Sequence, residues 1–149
     1  MIKCMFDVKH SVSVPYNVEQ MFYLINDITA YSQFIPGCIL SRILKRHNAN
    51  ELTAEINICQ FGINEQLISH NFIVRNKSIF MQLVSGPFKS FFGYWYFLPI
   101  NDQCSVVQCC FNFEFAVSFF NIFCSSVLIK KIDDLIEIFL VRAEKIYDV

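Results

Sequence analysis

Residues 116–149 read AVSFFNIFCSSVLIKKIDDLIEIFLVRAEKIYDV and contain neither Gly nor Pro. Apolar side chains fill more than half of this stretch, which predicts one helix of roughly 30 residues, about 45 Å long at a rise of 1.5 Å per residue. Such a helix is too long to be one of several equal helices in so small a domain. The residues before it have the pattern of an antiparallel sheet, and a long terminal helix over a curved sheet commonly encloses a cavity.

The composition favours an apolar protein with a single core. The chain has 149 residues, so we expect one domain spanning 1–149. Hydrophobic residues make up 54% and charged residues 17%, with 17 Phe against one Trp. The net charge of −1 supplies no global basic field, so DNA binding is not expected and contact with RNA requires a local basic patch.

The location of the protein is also suggested by its composition. The first ten residues mix Lys3, Asp7 and Lys9 among apolar side chains, whereas a secretory signal needs a continuous apolar run. The least polar window, 115–129, is shorter than the roughly 20 residues that span a bilayer. The seven Cys include no CxxC pair and are expected to be reduced, buried thiols. We therefore expect a cytoplasmic protein, with peripheral membrane contact as the alternative.

Turn residues recur along the first 115 positions and divide them into short segments of alternating hydrophobicity. This pattern predicts an α+β fold of order β-α-α-β-β-β-β-β-β-α, with an antiparallel sheet of about six to seven strands. Asn17 is the expected cap of the first helix. The strands are expected at 4–14, 39–46, 51–59, 63–74, 78–84, 92–98 and 104–115, and the first two helices at 18–25 and 28–34.

The terminal helix has two predicted faces. Helical spacing places Leu128, Ile132, Leu135 and Phe139 toward the sheet. The polar face is formed by Lys130, Lys131, Asp133, Asp134 and Glu137. The first turns, which include Phe119, Phe120, Ile122 and Phe123, carry no charge, so protein or an apolar partner must cover them.

Sequence signatures of enzymes are largely absent. No phosphate loop, nucleophile elbow or zinc-type spacing occurs. His10, His47 and His70 fall in separate segments, and Cys38 has no neighbouring base that could activate it. Glu114 alternates with the Phe residues of 111–115 and is expected to be a surface acid; the alternative is that it points into the cavity and anchors a ligand hydroxyl or carbonyl through a neighbouring donor. We therefore predict no catalytic residue and no metal site.

The segment 85–95 combines bend-forming Gly and Pro with Phe88, Phe91 and Phe92, which need cover. Two interpretations remain open. The segment is either a well-packed hairpin or the rim of a cavity with Lys89 as its cation.

Several stretches along the chain resemble the coenzyme-Q-binding START-domain family. The stretches are Val14-Pro15-Tyr16, Asp27 to Tyr31, Phe34-Ile35-Pro36-Gly37-Cys38, Ser41-Arg42-Ile43-Leu44, 83–89, Gly93-Tyr94-Trp95, 111–115 and Val141-Arg142-Ala143. Ser32 and Gly37 stand where the mitochondrial members usually have Pro and Trp, which favours a bacterial subgroup. The resemblance implies a helix-grip fold, in which a curved antiparallel sheet wraps around a long C-terminal helix and leaves an apolar tunnel.

The resemblance implies a first function, non-enzymatic binding of ubiquinone or a similar isoprenoid lipid in support of respiration, with no cofactor required. An apolar tunnel suffices, because burial recovers roughly 25 cal/mol per Å² of apolar area. Peripheral contact would then be at the inner membrane. The expected tunnel residues are Phe34, Ile35, Pro36, Phe88, Trp95 and Phe139.

The alternative implied by bacterial members is a toxin that binds the large ribosomal subunit and blocks subunit joining. It requires cations that meet phosphates. The candidates are Arg42, Lys45, Arg46, Lys89, Lys130 and Lys131. A third interpretation is a cyclase-like enzyme that uses the same cavity, since related helix-grip folds include such enzymes, but the sequence shows no acid–base pair for it.

Overall fold

The computed structural model describes residues 5–116 and 122–148, and it describes the side chains of 122–148 only from residue 126 onward. All strands of the described residues belong to one curved antiparallel sheet. The strand order is β1-β7-β6-β5-β4-β3-β2, so β1 and β2 are the edges. The strands are β1 Met5–Val14, β2 Cys38–Asn48, β3 Glu51–Gln60, β4 Ile63–Val74, β5 Ser78–Ser85, β6 Phe88–Pro99 and β7 Ser105–Phe115. The predicted α+β helix-grip fold is confirmed.

Two short helices connect β1 to β2. Helix α1, Val18–Asn26, begins at a reciprocal cap in which Asn17 Oδ1 accepts from the Gln20 amide and Gln20 Oε1 accepts from the Asn17 amide, both at 2.9 Å. The predicted Asn17 cap is therefore confirmed. The second predicted helix is a 3-10 helix, Ile28–Gln33, whose i→i+3 bonds include Ala30 N to Asp27 O at 3.1 Å.

The C-terminal helix differs from the single helix that was expected. It consists of α2, Ile122–Asp133, and α3, Leu135–Tyr147, which are separated at Asp134. Asp134 has φ −86° and ψ −6°, and its carboxylate accepts a 2.8 Å hydrogen bond from Lys130. Backbone bonds from Asp134 N to Lys130 O and from Ile138 N to Asp134 O, both 3.0 Å, continue the helical pattern across the break. The expected charge-free turn at Phe119 and Phe120 lies outside the described residues, as do the side chains of Ile122 and Phe123.

Strand β6 starts four residues before the predicted position. A bulge between Phe88 and Ser90 explains the difference, because it interrupts the alternation that sequence patterning relies on. Phe88 and Phe91 are both buried, while Lys89 and Ser90 between them are exposed.

The inner face of the sheet packs against the helices. Its fully buried side chains include Trp95, Phe111 and Phe113, and Phe139 of α3 meets the Trp95 ring edge-on at a centroid distance of 5.4 Å. Leu128 and Ile132 of α2 are buried as predicted, and Leu135 is half-buried. Among the described residues, no helix has the length and apolar character needed to cross a bilayer.

Candidate functional site

A cavity of about 600 Å³ lies between the inner face of the sheet and the C-terminal helices. Its walls are mainly aliphatic and aromatic, so it suits a hydrophobic molecule. The sheet contributes Ile56, Ile58, Leu67, Met81, Phe88, Phe91, Trp95 and Phe111. The helices contribute Val127, Leu128, Ile132, Leu135, Ile138 and Phe139.

The local sequence explains how these side chains converge. Period-two alternation directs Trp95 and Phe111 inward from adjacent strands. The Phe111 ring lies across Gly93, where an added Cβ would come within 2.6 Å of Phe111 Cδ1. Glycine at position 93 is therefore what allows the aromatic wall to lie so close to the backbone of β6.

Five of the six predicted tunnel residues line the cavity, and their role in ligand binding stays a prediction. These are Ile35, Pro36, Phe88, Trp95 and Phe139.

The sixth, Phe34, is not among the lining residues. It packs against the Phe139 ring at 5.6 Å and lies under the Arg142 guanidinium at 4.9 Å. Phe34 thus supports a wall residue from behind.

A polar cluster is set into the wall between α2, β3 and the turn before β2. Lys131 Nζ donates to Pro36 O at 2.7 Å and also to Gln60 Oε1. Gly37 is required for this contact, because its φ is +81° and an added Cβ would lie 2.7 Å from Gln60 Oε1 and 3.1 Å from Lys131 Nζ. We refer to Lys131, Gln60, Pro36 and Gly37 as the polar clamp.

Sequence reasoning missed the polar clamp, because it assigned Lys131 only to an exposed helix face. The Pro36-Gly37 pair was the available signal, because Gly is the usual residue where the backbone adopts a positive φ or approaches another group closely. Desolvation lowers the pKa of Lys131, which is consistent with its position in the wall.

Burial favours the protonated forms of two acidic groups near the cavity, the Cys38 thiol and the Tyr31 hydroxyl. Burial raises the pKa of the Cys38 thiol, and desolvation raises the pKa of Tyr31 above its usual range. The Tyr31 hydroxyl donates to Ile25 O. A protonated thiol and an engaged hydroxyl make poor nucleophiles.

Other polar groups in the wall are few. Ser69 Oγ donates to Asn71 Oδ1 at 2.9 Å, and both residues are buried. Lys130 and Asp134 form an ion pair at 2.8 Å, and Glu65 is the other lining carboxylate.

The histidines lie elsewhere. His10 contacts Asp133 at 2.8 Å, and His47 and His70 both contact Thr53, at 2.8 and 3.4 Å. None of the three lines the cavity. Across residues 5–116 and 122–148, no three His, Cys, Asp or Glu side chains are placed to hold a metal ion.

The six cations proposed for the ribosome do not form one patch. Arg42 is paired with the buried Glu55 at 2.6 Å, and Lys89 lies 3.9 Å from Glu114. Lys45 and Arg46 are exposed on the edge strand β2. Lys130 is bound to Asp134, and Lys131 belongs to the polar clamp.

Comparison with known proteins agrees with this architecture. The family described as polyketide cyclase / dehydrase and lipid transport matches residues 14–140. The chain belongs to this family. Among curated relatives, it is 34% identical over 140 residues to the ribosome association toxin RatA of Escherichia coli K12. The alignment covers 94% of this chain and 88% of the relative. The chain is 26% identical over 135 residues to the mitochondrial coenzyme Q-binding protein COQ10 of Dictyostelium discoideum, covering 89% and 66% respectively.

Two solved structures share the fold at low sequence identity. The Zhui aromatase/cyclase from Streptomyces sp. R1128 aligns with a TM-score of 0.82 and 13% identity, over 95% of this chain and 94% of that one. A START superfamily protein from Mycobacterium smegmatis aligns with a TM-score of 0.78 and 19% identity, over 93% and 97%. These likenesses concern the fold alone.

Proposed function

We propose that this protein binds ubiquinone or a similar isoprenoid lipid in the cavity without chemically changing it, in support of respiration. The observation that carries the proposal is the apolar cavity of about 600 Å³ between sheet and helices. This volume falls within the roughly 300–1,000 Å³ of small-molecule sites. The coenzyme Q-binding relative supports the choice of a quinone.

The wall of the cavity explains how an isoprenoid tail would be held. Ile56, Ile58, Leu67, Met81 and Leu135 offer flexible aliphatic contacts, and the aromatic wall offers rigid ones. Each methylene group moved from water into such a wall contributes about 0.8 kcal/mol. Affinity for the tail therefore needs no polar contact.

The polar clamp supplies a contact for the ligand's head. The Lys131 ammonium has three N–H donors, of which Pro36 O and Gln60 Oε1 accept two. The third is available to a neutral acceptor such as a quinone carbonyl. A carboxylate head is less suited, because Glu65 also lines the cavity.

Binding without catalysis is the second part of the proposal. A cyclase would need an acid and a base placed on the ligand. The thiol of Cys38 is protonated, Tyr31 donates to a backbone carbonyl, and Lys130 and Asp134 neutralise each other. A carrier of this kind collects its ligand from a membrane, so a cytoplasmic location with peripheral contact at the inner membrane belongs to the proposal.

The test combines extraction with a blocked cavity. The purified protein is analysed by native mass spectrometry, and extracted lipids are identified by ultraviolet spectroscopy. Ile58→Trp, which fills the cavity, should lose the bound lipid, while Val84→Trp at an exposed position should keep it. Failure of the native protein to retain or bind ubiquinone-like lipids would contradict the proposal.

A second variant tests the proposed contact between Lys131 and the head group of the ligand. Lys131→Met should weaken ubiquinone binding while leaving binding of an isoprenoid hydrocarbon without a head group unchanged. Equal loss for both ligands would mean that Lys131 maintains the wall and does not contact the head.

A second candidate function is association with the large ribosomal subunit, which would block subunit joining. It is favoured by the relative named ribosome association toxin RatA, which matches nearly the whole chain. Sedimentation through sucrose gradients at low salt tests it. Comigration with large subunits, lost as salt rises, is the expected result. Absence of comigration at low salt would exclude this function.

A further inference from the structure

The outer face of the sheet carries a continuous row of aromatic rings that the cavity does not use. We define the outer stripe as Phe72 on β4, Phe80 on β5, and Phe92, Tyr94 and Tyr96 on β6. Ring centroids of neighbours lie 5.9 Å apart for Phe72 and Phe80, 4.5 Å for Phe80 and Tyr94, and 5.6 Å for Tyr94 and Tyr96. His70 extends the row to the β2 side, with its ring 4.7 Å from Phe72.

Three of these rings are exposed, Phe80 and Tyr94 are half-buried, and none belongs to the buried core. Strand alternation places them opposite to Trp95, Phe97 and Phe111, which face the cavity side. Phe72 is 37%, Phe92 38% and Tyr96 40% exposed. A contiguous exposed aromatic surface of this kind often marks an interaction site, whereas single exposed apolar residues are common and need no explanation.

Charge around the stripe indicates what it contacts. Residues 38–100 hold six Lys and Arg against three Glu, in a chain whose net charge is −1. Two of those acids are withdrawn from the outer surface, since Glu55 is buried against Arg42 and Glu65 lines the cavity. The third, Glu51, lies 3.4 Å from His70.

Basic side chains border the stripe on several sides. Lys45 pairs in register with Thr53, whose hydroxyl contacts the His70 ring. Lys77 precedes Ser78, the register partner of Tyr96. Lys89, which lies 3.9 Å from Glu114 of β7, lines an outer cleft of about 260 Å³ together with Phe80 and Phe92. Among the described residues, Lys45 and Lys77 have no ion-pair partner within 4.0 Å.

We infer that the outer stripe binds single-stranded RNA, whose bases stack on the Phe and Tyr rings while bordering lysines contact its phosphates. Exposed rings on a sheet surface beside basic residues provide both parts of sequence-tolerant single-strand recognition. A self-association surface would be depleted of Lys, and this one is bordered by it. The inference goes beyond the cavity, and if ribosome association holds, the stripe is its contact face.

The test measures binding of a fluorescein-labelled 12-nucleotide oligouridine by anisotropy at 50 mM salt. Phe92→Thr with Tyr96→Thr should weaken binding about tenfold or more. Tyr23→Ala, which removes a ring 67% exposed on α1, is the matched control and should bind like the native protein. Thermal melting of each variant reports whether the fold is retained.

Charge variants and crosslinking keep the inference testable if the ring variants fail to fold. Lys45→Gln and Lys77→Gln should each reduce the slope of log affinity against log salt by about 0.7. Ultraviolet crosslinking of the native protein to 4-thiouridine RNA should label peptides from 72–96. Crosslinks confined to other segments would overturn the inference.

Further outcomes of the RNA-binding measurements also test the inference. No RNA binding by the native protein at low salt overturns the inference, as does equal binding by the folded ring variant. If the ring variant instead loses a dimer or adsorption to anionic lipid vesicles, with RNA binding unchanged, the stripe is a protein or membrane surface. Ubiquinone binding, measured on the same variant, should be unchanged, so failure here is separate from failure of the cavity function.

Discussion

Glycine at position 37 is the residue on which the polar clamp depends. Its backbone has φ +81°, and its hydrogen atom stands where a Cβ would meet the Gln60 side chain at 2.7 Å. Any side chain at this position must therefore displace Gln60, and with it the hydrogen bond from Lys131. The turn at Pro36-Gly37 can therefore pack against Gln60 only because residue 37 has no side chain.

Gly37→Ala should destabilise the protein by more than the cost of left-handed backbone alone, which is roughly 1–2 kcal/mol. Gly62→Ala is the matched control, because Gly62 also has φ +81° but has open space around its would-be Cβ. Urea unfolding of both variants gives the difference. Equal losses of stability would show that the contact with Gln60 carries no strain.

Arg42 illustrates how a candidate nucleic-acid contact can be a structural residue. Its Nε donates to the buried Glu55 carboxylate at 2.6 Å, and Gln66 donates to the same carboxylate. The carboxylate depends on these donors, since a buried charge without them is costly. Arg42 is therefore held on the outer face by its bond to Glu55, and an RNA phosphate would have to compete with Glu55 for the guanidinium.

Arg42→Met should lower the free energy of unfolding by about 1–3 kcal/mol, because it leaves the Glu55 carboxylate short of a donor. Glu55→Gln removes the buried charge and should cost less, and combining the two changes should cost less than their sum. Chemical denaturation of the three variants measures this. Additive losses would mean that the two side chains do not interact.

At the scale of the elements, helix α1 depends on its first residues. The reciprocal Asn17–Gln20 cap satisfies amide groups that would otherwise lack partners. Asn17→Ala should therefore cost about 1 kcal/mol. Asn64→Ala, at an exposed position on β4, should cost little by comparison. Thermal melting of both variants checks the prediction, and an equal shift in Tm would contradict it.

Regular elements could be predicted from the sequence because hydrophobic period and turn residues are local signals. The α+β order, the Asn17 cap and the inward face of β7 were recognisable in this way. The bulge at Phe88–Ser90 was not, since it departs from the strand period, and the break at Asp134 has no signal in the hydrophobic pattern.

The candidate site was predicted less completely than the fold. Five of the six tunnel residues line the cavity, but Phe34 lies behind Phe139. Lys131 was assigned to a solvated face because helical spacing does not reveal how far a long side chain reaches across to another element. The outer stripe was missed for a similar reason: only strand register shows that rings from β4, β5 and β6 meet.

For the molecule as a whole, one sheet separates two surfaces of different chemistry. The inner face bounds the apolar cavity, and the outer face presents aromatic rings bordered by cations. The two proposed binding activities therefore use opposite sides of the same strands and share few side chains. Substitutions on one face should leave binding at the other unchanged.

Ligand binding should stabilise the whole fold, since the cavity exists only when sheet and helices are assembled. At a free ligand concentration of 100 times Kd, the gain is about 2.7 kcal/mol. Added ubiquinone should therefore raise the Tm of the lipid-free protein by several degrees. Ile58→Trp should show no such shift. A shift of the same size in that variant would place the ligand outside the cavity.

The strand order has a consequence for how the chain acquires its structure. Strand β1 pairs only with β7, from Met5 opposite Glu114 to Val14 opposite Ser105, whereas β2 through β6 pair with their sequence neighbours. Hairpins can close early, but contacts between distant segments form late and slowly. During refolding, pulse-labelled hydrogen exchange should show amide protection in β3 and β4 before β1. Strand β1, which comes before β2 to β7 in this sequence, then joins the sheet after the β3–β4 hairpin has formed.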